Sequence, residues 1–265
     1  MILSAQVVID KPSSSGGTDT SYVNQKLAEA KTYTDNTLTG LQSSIGVLAA
    51  SKTVNLDSTM TASQIQDSIN AYPKNLNGKA LTFQFADGTY TLDNTIYFRE
   101  FHNGSLFIQG NVSESSVKYT SHSVILNFSS AFGIEVRSVS SIVRIYNIRI
   151  NAISGVWGAC LAITTNIGYI DIQRCYVYNN VTGAHNYLIN NSNFVKIQDS
   201  YARGSDFGVY CMAQSTLYVK NNSSAATIPI YGMNALEGST IIKMDVVGFT
   251  GSNSNEQISL GGLIR

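Results

Sequence analysis

The chain has 265 residues, 13% of them charged, with a formal net charge of zero. That length allows a substantial buried core, and the neutral balance argues against nucleic acid or an anionic membrane surface as a partner. No apolar run is long enough for membrane insertion, and MILSAQVVIDKPSSSGG lacks the positively charged start and the apolar stretch of a secretory leader.

In chain order, residues 1–19 read as a short attachment peptide and a flexible linker, the SSSGG run from Ser13 to Gly17. Residues 20–50 turn helical: Val23, Leu27, Ala30, Thr34, Thr37, Leu41, Ile45 and Leu48 step mostly by three and four, a heptad-like stripe. A stripe this short is marginal as a lone helix. It is expected to form a trimeric coiled-coil stalk, the alternative being a helix folded back on its own domain. Residues 51–78 read as linker and capping helix. Thr61 and Gln64 make a capping-box pair flanked by Met60 and Ile65, while Ile65, Ile69 and Tyr72 share one face and Pro73 ends the helix. An open β-helix end exposes unpaired backbone, and covering it is the role expected of this helix.

Residues 79–265 carry a repeat. Five segments superimpose with an apolar residue at Val143, Ile170, Val195, Leu217 and Ile242, in steps of roughly 22 to 27 residues. Two residues on, every copy is apolar again: Ile145, Ile172, Ile197, Val219 and Met244. A second inward pair follows at Ile148 and Ile150, Cys175 and Val177, and Ser200 and Ala202; the polar Asn147, Arg174, Asp199 and Asn221 mark a bend before it. Leu81 and Leu106 extend the series upstream. The longer gap from Leu106 to Val143 holds a strand candidate, Val124 to Phe128, and suggests an inserted loop or an irregular coil. Several short strands per coil, with Asn, Ser and Gly at the corners, predict an all-β, single-stranded parallel β-helix of about seven coils. A leucine-rich repeat fits less well, because no copy carries its leucine spacing or a helical return.

For chemistry, glycoside hydrolysis needs two carboxylates flanking the substrate, and the acids aligned to the repeat fall in different columns. One outward column runs Arg144, Asp171, Lys196, Tyr218, Lys243. It has the residue types of a lyase, a base beside cationic groups, but a ladder of cross-strand charge pairs is the expected reading. His102, His122 and His185 are dispersed without metal spacing, so neither metal nor cofactor is expected. Cys160, Cys175 and Cys211 read as buried free thiols. Tyr146, Tyr176, Tyr178, Tyr201 and Tyr218 fall mainly in outward columns, and Trp157 lies in the Gly-rich SGVWGA. Flat rings with a polar tip suit stacking on sugars, so these six are the candidate glycan contacts, with Asn179, Asn180, Asn190 and Asn191 adding hydrogen bonds at corners. Tyr176 and Tyr201 are equally placed to stack on each other between coils.

Two stretches, TSYVNQKLAEAKTYTDNTLTGLQ (Thr20 to Gln42) and IQDSINAYPKNLNGKALTFQFADGTYTLDNTIYFREFHNGSLFIQGN (Ile65 to Asn111), resemble the stalk and the start of the β-helix domain in bacteriophage tail fibre and tailspike proteins. The resemblance implies a right-handed, pectate-lyase-like parallel β-helix and homotrimeric assembly. It also implies a place in the virion tail, attachment to a baseplate or tail protein through the N-terminus, and recognition of a bacterial surface glycan. Some relatives depolymerise such glycans. The expected function is therefore adhesion to a bacterial surface polysaccharide without cleavage. The alternatives are a depolymerase, either a lyase using Arg144, Asp171 and Lys196 or a glycosidase, and a structural adaptor of the baseplate.

Overall fold

Alternation of apolar and polar residues in each repeat produces short strands with one buried face. The computed structural model describes residues 20–44, 46–114, 122–152, 158–204, 206–220, 222–224, 231–244 and 251–265, without side chains at 38–44 and 223–224. Three parallel sheets form. Sheet I runs β1 (Lys52–Leu56), β2 (Ala80–Phe85), β5 (Ser105–Gln109), β8 (Ile142–Tyr146), β11 (Ile170–Gln173), β14 (Val195–Gln198), β17 (Thr216–Lys220), β20 (Thr240–Lys243) and β22 (Leu263–Ile264). Sheet II runs β3 (Gly88–Leu92), β6 (Val124–Phe128), β9 (Arg149–Ala152), β12 (Tyr176–Asn179), β15 (Tyr201–Gly204) and β18 (Ser223–Ser224). Sheet III runs β4 (Ile96–Arg99), β7 (Phe132–Arg137), β10 (Ala159–Thr164), β13 (His185–Asn190), β16 (Phe207–Met212), β19 (Tyr231–Ala235) and β21 (Ser254–Ile258). The chain visits I, II and III in turn and then returns to I, so each circuit is one coil of a parallel β-solenoid of about seven turns.

The inward file is continuous. Leu81, Leu106, Val143, Ile170, Val195 and Leu217 are register partners on successive coils, all fully buried. The next member is Ile241, not the expected Ile242. Both are isoleucines, so alternation could not choose between them; a buried polar ladder does. Val139 N donates to Asn166 Oδ1, Asn166 N to Ser192 Oγ, Ser192 N to Ser215 Oγ and Ser215 N to Ser239 Oγ, at 2.7 to 3.1 Å. Ser239 thus sits over Ser215, and the residue two further on, Ile241, sits over Leu217. A one-residue slip exchanges faces: Met244 is exposed, Ile242 replaces Lys243 in the outward column, and Lys243 pairs with Glu256.

The bend between sheets I and II falls where expected. Asn147, Arg174 and Asp199 take left-handed backbone, with φ of 53°, 49° and 49°. A second ladder runs beneath it, Cys175 N to Ser200 Oγ and Ser200 N to Asn222 Oδ1. The long gap after Leu106 is no irregular coil, since β5, β6 and β7 pair like their neighbours. The extra length lies between β5 and β6, where 115–121 fall outside the described residues.

The solenoid also starts earlier than expected: β1, in the stretch read as linker, pairs with β2 in register. After β1 comes α2 (Ala62–Asn70), with the capping box at Thr61 and Gln64 in place and Ile65 and Ile69 fully buried. The helix covers β4, the edge strand of sheet III. There Tyr97 N donates to Gln66 Oε1 at 2.8 Å and Gln66 Nε2 donates to Tyr97 O at 3.1 Å, so one side-chain amide stands where a further strand would pair. At the N-terminal side α1 spans Thr20–Ser44, with Val23 and Leu27 exposed; residues 1–19, expected to form an attachment peptide and linker, lie outside the described residues. Gln66→Ala should lower unfolding stability by about 1–3 kcal/mol, by leaving the edge peptide unpaired, while Gln25→Ala on α1 stays near wild type; urea unfolding followed by circular dichroism measures both.

Candidate functional site

Inward positions are committed to the core, so recognition or catalysis belongs to the outward columns. On sheet I the register places Arg144, Asp171 and Lys196 on adjacent strands of one column, followed by Tyr218. Adjacent strands are about 4.8 Å apart. Tyr146, Gln173, Gln198 and Lys220 form the next column. The expected ladder of charge pairs does not form: among the described residues none of the three charged groups makes a contact ion pair with another. Arg144 instead lies 5.6 Å from the Phe107 ring. Asp171 is only 7% exposed; its Oδ2 accepts from Gln173 Nε2 at 2.6 Å, whereas its buried Oδ1 has no hydrogen-bond partner. Tyr146 and Tyr169 flank it, and both phenols are held above the ordinary tyrosine range by burial, with Asp171 adding to the rise and Arg144 opposing it.

Sheet II carries Tyr176, Tyr178 and Tyr201, but not as open stacking platforms. Tyr176 lies between the Arg149 guanidinium at 4.8 Å and the Tyr201 ring at 5.4 Å and 23°, and is 2% exposed. Its ring faces are occupied, so the stacking of Tyr176 on Tyr201 is observed and a sugar cannot reach Tyr176. Arg203 covers Tyr178 at 5.2 Å. Beside them Asn151 Nδ2 donates to Asn127 Oδ1, and Arg149 Nε donates to Asn151 Oδ1. Asn179 is buried and caps its own turn by accepting from Val181 N. The predicted contacts therefore divide between two faces, Tyr146 and Tyr218 on sheet I and Tyr176, Tyr178 and Tyr201 on sheet II; Trp157 lies outside the described residues.

The outward face of sheet III escaped the sequence reading. Phe132, Ala159, His185, Phe207 and Tyr231 form one column, and Glu135, Ala162, Leu188, Tyr210 and Asn234 the next. His185 stacks on Tyr210 at 4.3 Å and Phe207 on Tyr231 at 5.3 Å. Small alanines between large neighbours close this apolar strip. Its trace in the sequence is the unbroken apolar run ACLAI, which breaks the period of two.

The three cysteines are free and buried, and burial pushes each thiol up to about 12, which disfavours a nucleophilic role. His122 packs with Nε2 2.7 Å from Arg174 O. Among the described residues no group of His, Cys, Asp and Glu could hold a metal ion, and no helix is long and apolar enough to cross a membrane.

Burial holds the His185 imidazole down at about 4, with Asp206 opposing weakly, against about 6.5 for a free histidine. Between those values the unfolded chain binds more protons than the fold, so this contribution is complete above about pH 6.5 and is lost as pH falls towards 4, at most about 3 kcal/mol. His185→Phe should keep the stack and flatten that part of the pH dependence, read from urea midpoints at pH 7 and pH 4.5. Searches against protein-family models, curated proteins and solved structures found no match for this chain.

Proposed function

We propose that the chain is a homotrimeric tail fibre, of a phage or phage-like particle, whose right-handed β-helix adheres to a bacterial surface polysaccharide without cleaving it. The observation that carries this reading is the sheet I surface. There tyrosines, glutamines and unpaired charges are mounted on a rigid backbone in columns whose successive members lie about 4.8 Å apart, a spacing that lets one extended chain of sugars meet several coils. Assembly is supported by α1, a helix of 25 residues that leaves Val23 and Leu27 exposed on one stripe; such a helix gains stability from partner helices. Three modest sites on one stalk then act together through effective concentration. The N-terminal residues would join the fibre to a baseplate or tail protein.

A depolymerase is the second reading, favoured by one observation: Asp171, buried and without an ion-pair contact, lies between Arg144 and Lys196 on neighbouring coils. Asp171 would take a proton from the sugar, and the two cations would stabilise the charge that develops.

Two measurements test these readings. Sedimentation equilibrium should give three times the chain mass, and Leu27→Lys should dissociate that assembly; an unchanged mass would sink the coiled-coil stalk. Incubation with capsular polysaccharide should retain the protein on the glycan without producing new reducing ends or unsaturated uronate. Release of either product that is abolished by Asp171→Asn would replace adhesion with lysis.

A further inference from the structure

The chain is neutral as a whole, with 17 basic and 17 acidic residues, but one face departs from that balance. The outward positions of sheet I from β8 to β17 hold three cations, Arg144, Lys196 and Lys220, and a single carboxylate, Asp171. Arg144 and Lys196 are half-buried and Lys220 is exposed. None of the three makes a contact ion pair among the described residues. The carboxylate does little to offset them where a partner would arrive. Asp171 is buried, its Oδ2 accepts from Gln173 Nε2, and its Oδ1 is closed to solvent. On the same coils the bend into sheet II adds one charge of each sign, Arg174 and Asp199, and the opposite corner adds none. A partner that meets this surface therefore meets positive charge.

The spacing of the cations narrows the partner. Arg144 and Lys196 belong to one column, two coils apart, which places their backbones about 10 Å from each other. Lys220 follows one coil later in the next column. Tyr146, Gln198 and Tyr218, which are neutral and able to hydrogen-bond, fill positions around them. Nucleic acid carries a phosphate about every 3.4 Å along each strand, so cations this sparse would leave most of its charge unmatched. A polymer whose acid groups are separated by neutral hydroxylated units fits better. The Arg144 guanidinium lies 5.6 Å from the Phe107 ring, within cation–π range. A guanidinium can hold a carboxylate or a phosphate through two parallel N–H bonds, whereas an ammonium acts as a point charge.

We infer that this face of sheet I takes acidic polysaccharides. Acid groups of separate sugars are held by Arg144 and Lys196, with Lys220 extending the positive track, and intervening hydroxyls bond to Tyr146 and Gln198. The inference rests on the adhesin reading and narrows its glycan to an anionic one.

The test uses the full chain on immobilised bacterial polysaccharides that are neutral, uronate-bearing or phosphate-bearing, each uronate-bearing sample paired with its carboxyl-reduced form. Wild type should retain at least one acidic class, release it as salt rises, and, for a uronate, lose it on carboxyl reduction. Whichever class is held identifies the acid group. Arg144→Gln and Lys196→Gln should each weaken retention by about tenfold, with unchanged thermal unfolding. Arg137→Gln, which removes an exposed cation from sheet III, should leave it unchanged. Equal retention of neutral and acidic samples would overturn the charge inference while leaving adhesion intact. An equal loss in Arg137→Gln would assign binding to overall charge and overturn the assignment to sheet I. Duplex DNA or phosphatidylserine vesicles that bind as tightly as any glycan would overturn the choice of partner. Retention of no glycan would remove both proposals.

Discussion

The structure depends on each coil being locked to the next in one register. Parallel pairing alone tolerates sliding by two residues, because side chains then keep their faces. Here that freedom is removed by buried side chains at two corners. The run from Asn166 through Ser192 and Ser215 to Ser239, and the run from Ser200 to Asn222, accept backbone N–H groups from the preceding coil. Each acceptor satisfies a donor that would otherwise be buried without a partner, at a cost of about 1–3 kcal/mol. Sliding one coil therefore breaks several such bonds together.

Once the register is locked, the three outward faces differ in how far their side chains satisfy one another. Sheet II is largely self-satisfied, with guanidinium on ring, ring on ring and amide on amide. Sheet III is interlocked, with small residues fitted between large ones, and buries His185 Nδ1 and Asn234 Oδ1 without a hydrogen-bond partner. Sheet I keeps unused capacity: a carboxylate oxygen without a donor, Arg144 and Lys196 without contact anions and aromatic groups open to solvent. The unsatisfied atoms of sheet III are buried, whereas Arg144 and Lys196 on sheet I reach solvent, so the recognition proposed for this chain is best placed on sheet I.

Most of the solenoid was legible in the sequence, because burial of one strand face imposes a period of two that Val143, Ile145, Ile170, Ile172, Val195 and Ile197 obey strictly. The corners at Asn147, Arg174 and Asp199 were legible as polar interruptions of that period. The last coil was misread because Ile241 and Ile242 are chemically equivalent, and only the distant pairing of Ser239 with Ser215 separates them. Strand β1 was missed since Lys52 to Leu56 offers a single short alternation, interrupted by α2 before its partner arrives. Of the surface, the Arg144–Asp171–Lys196 column followed directly from the repeat. The occupied faces of Tyr176 and the apolar strip of sheet III did not, because each depends on side-chain neighbours one coil away.

The buried thiols give this architecture a built-in means of observation. Cys160, Cys175 and Cys211 belong to three consecutive coils, and desolvation keeps each in its unreactive protonated form. An alkylating reagent can modify them only when the local circuit opens. Their relative labelling rates would therefore report whether neighbouring turns come away singly, as beads leaving a string, or open together as a block.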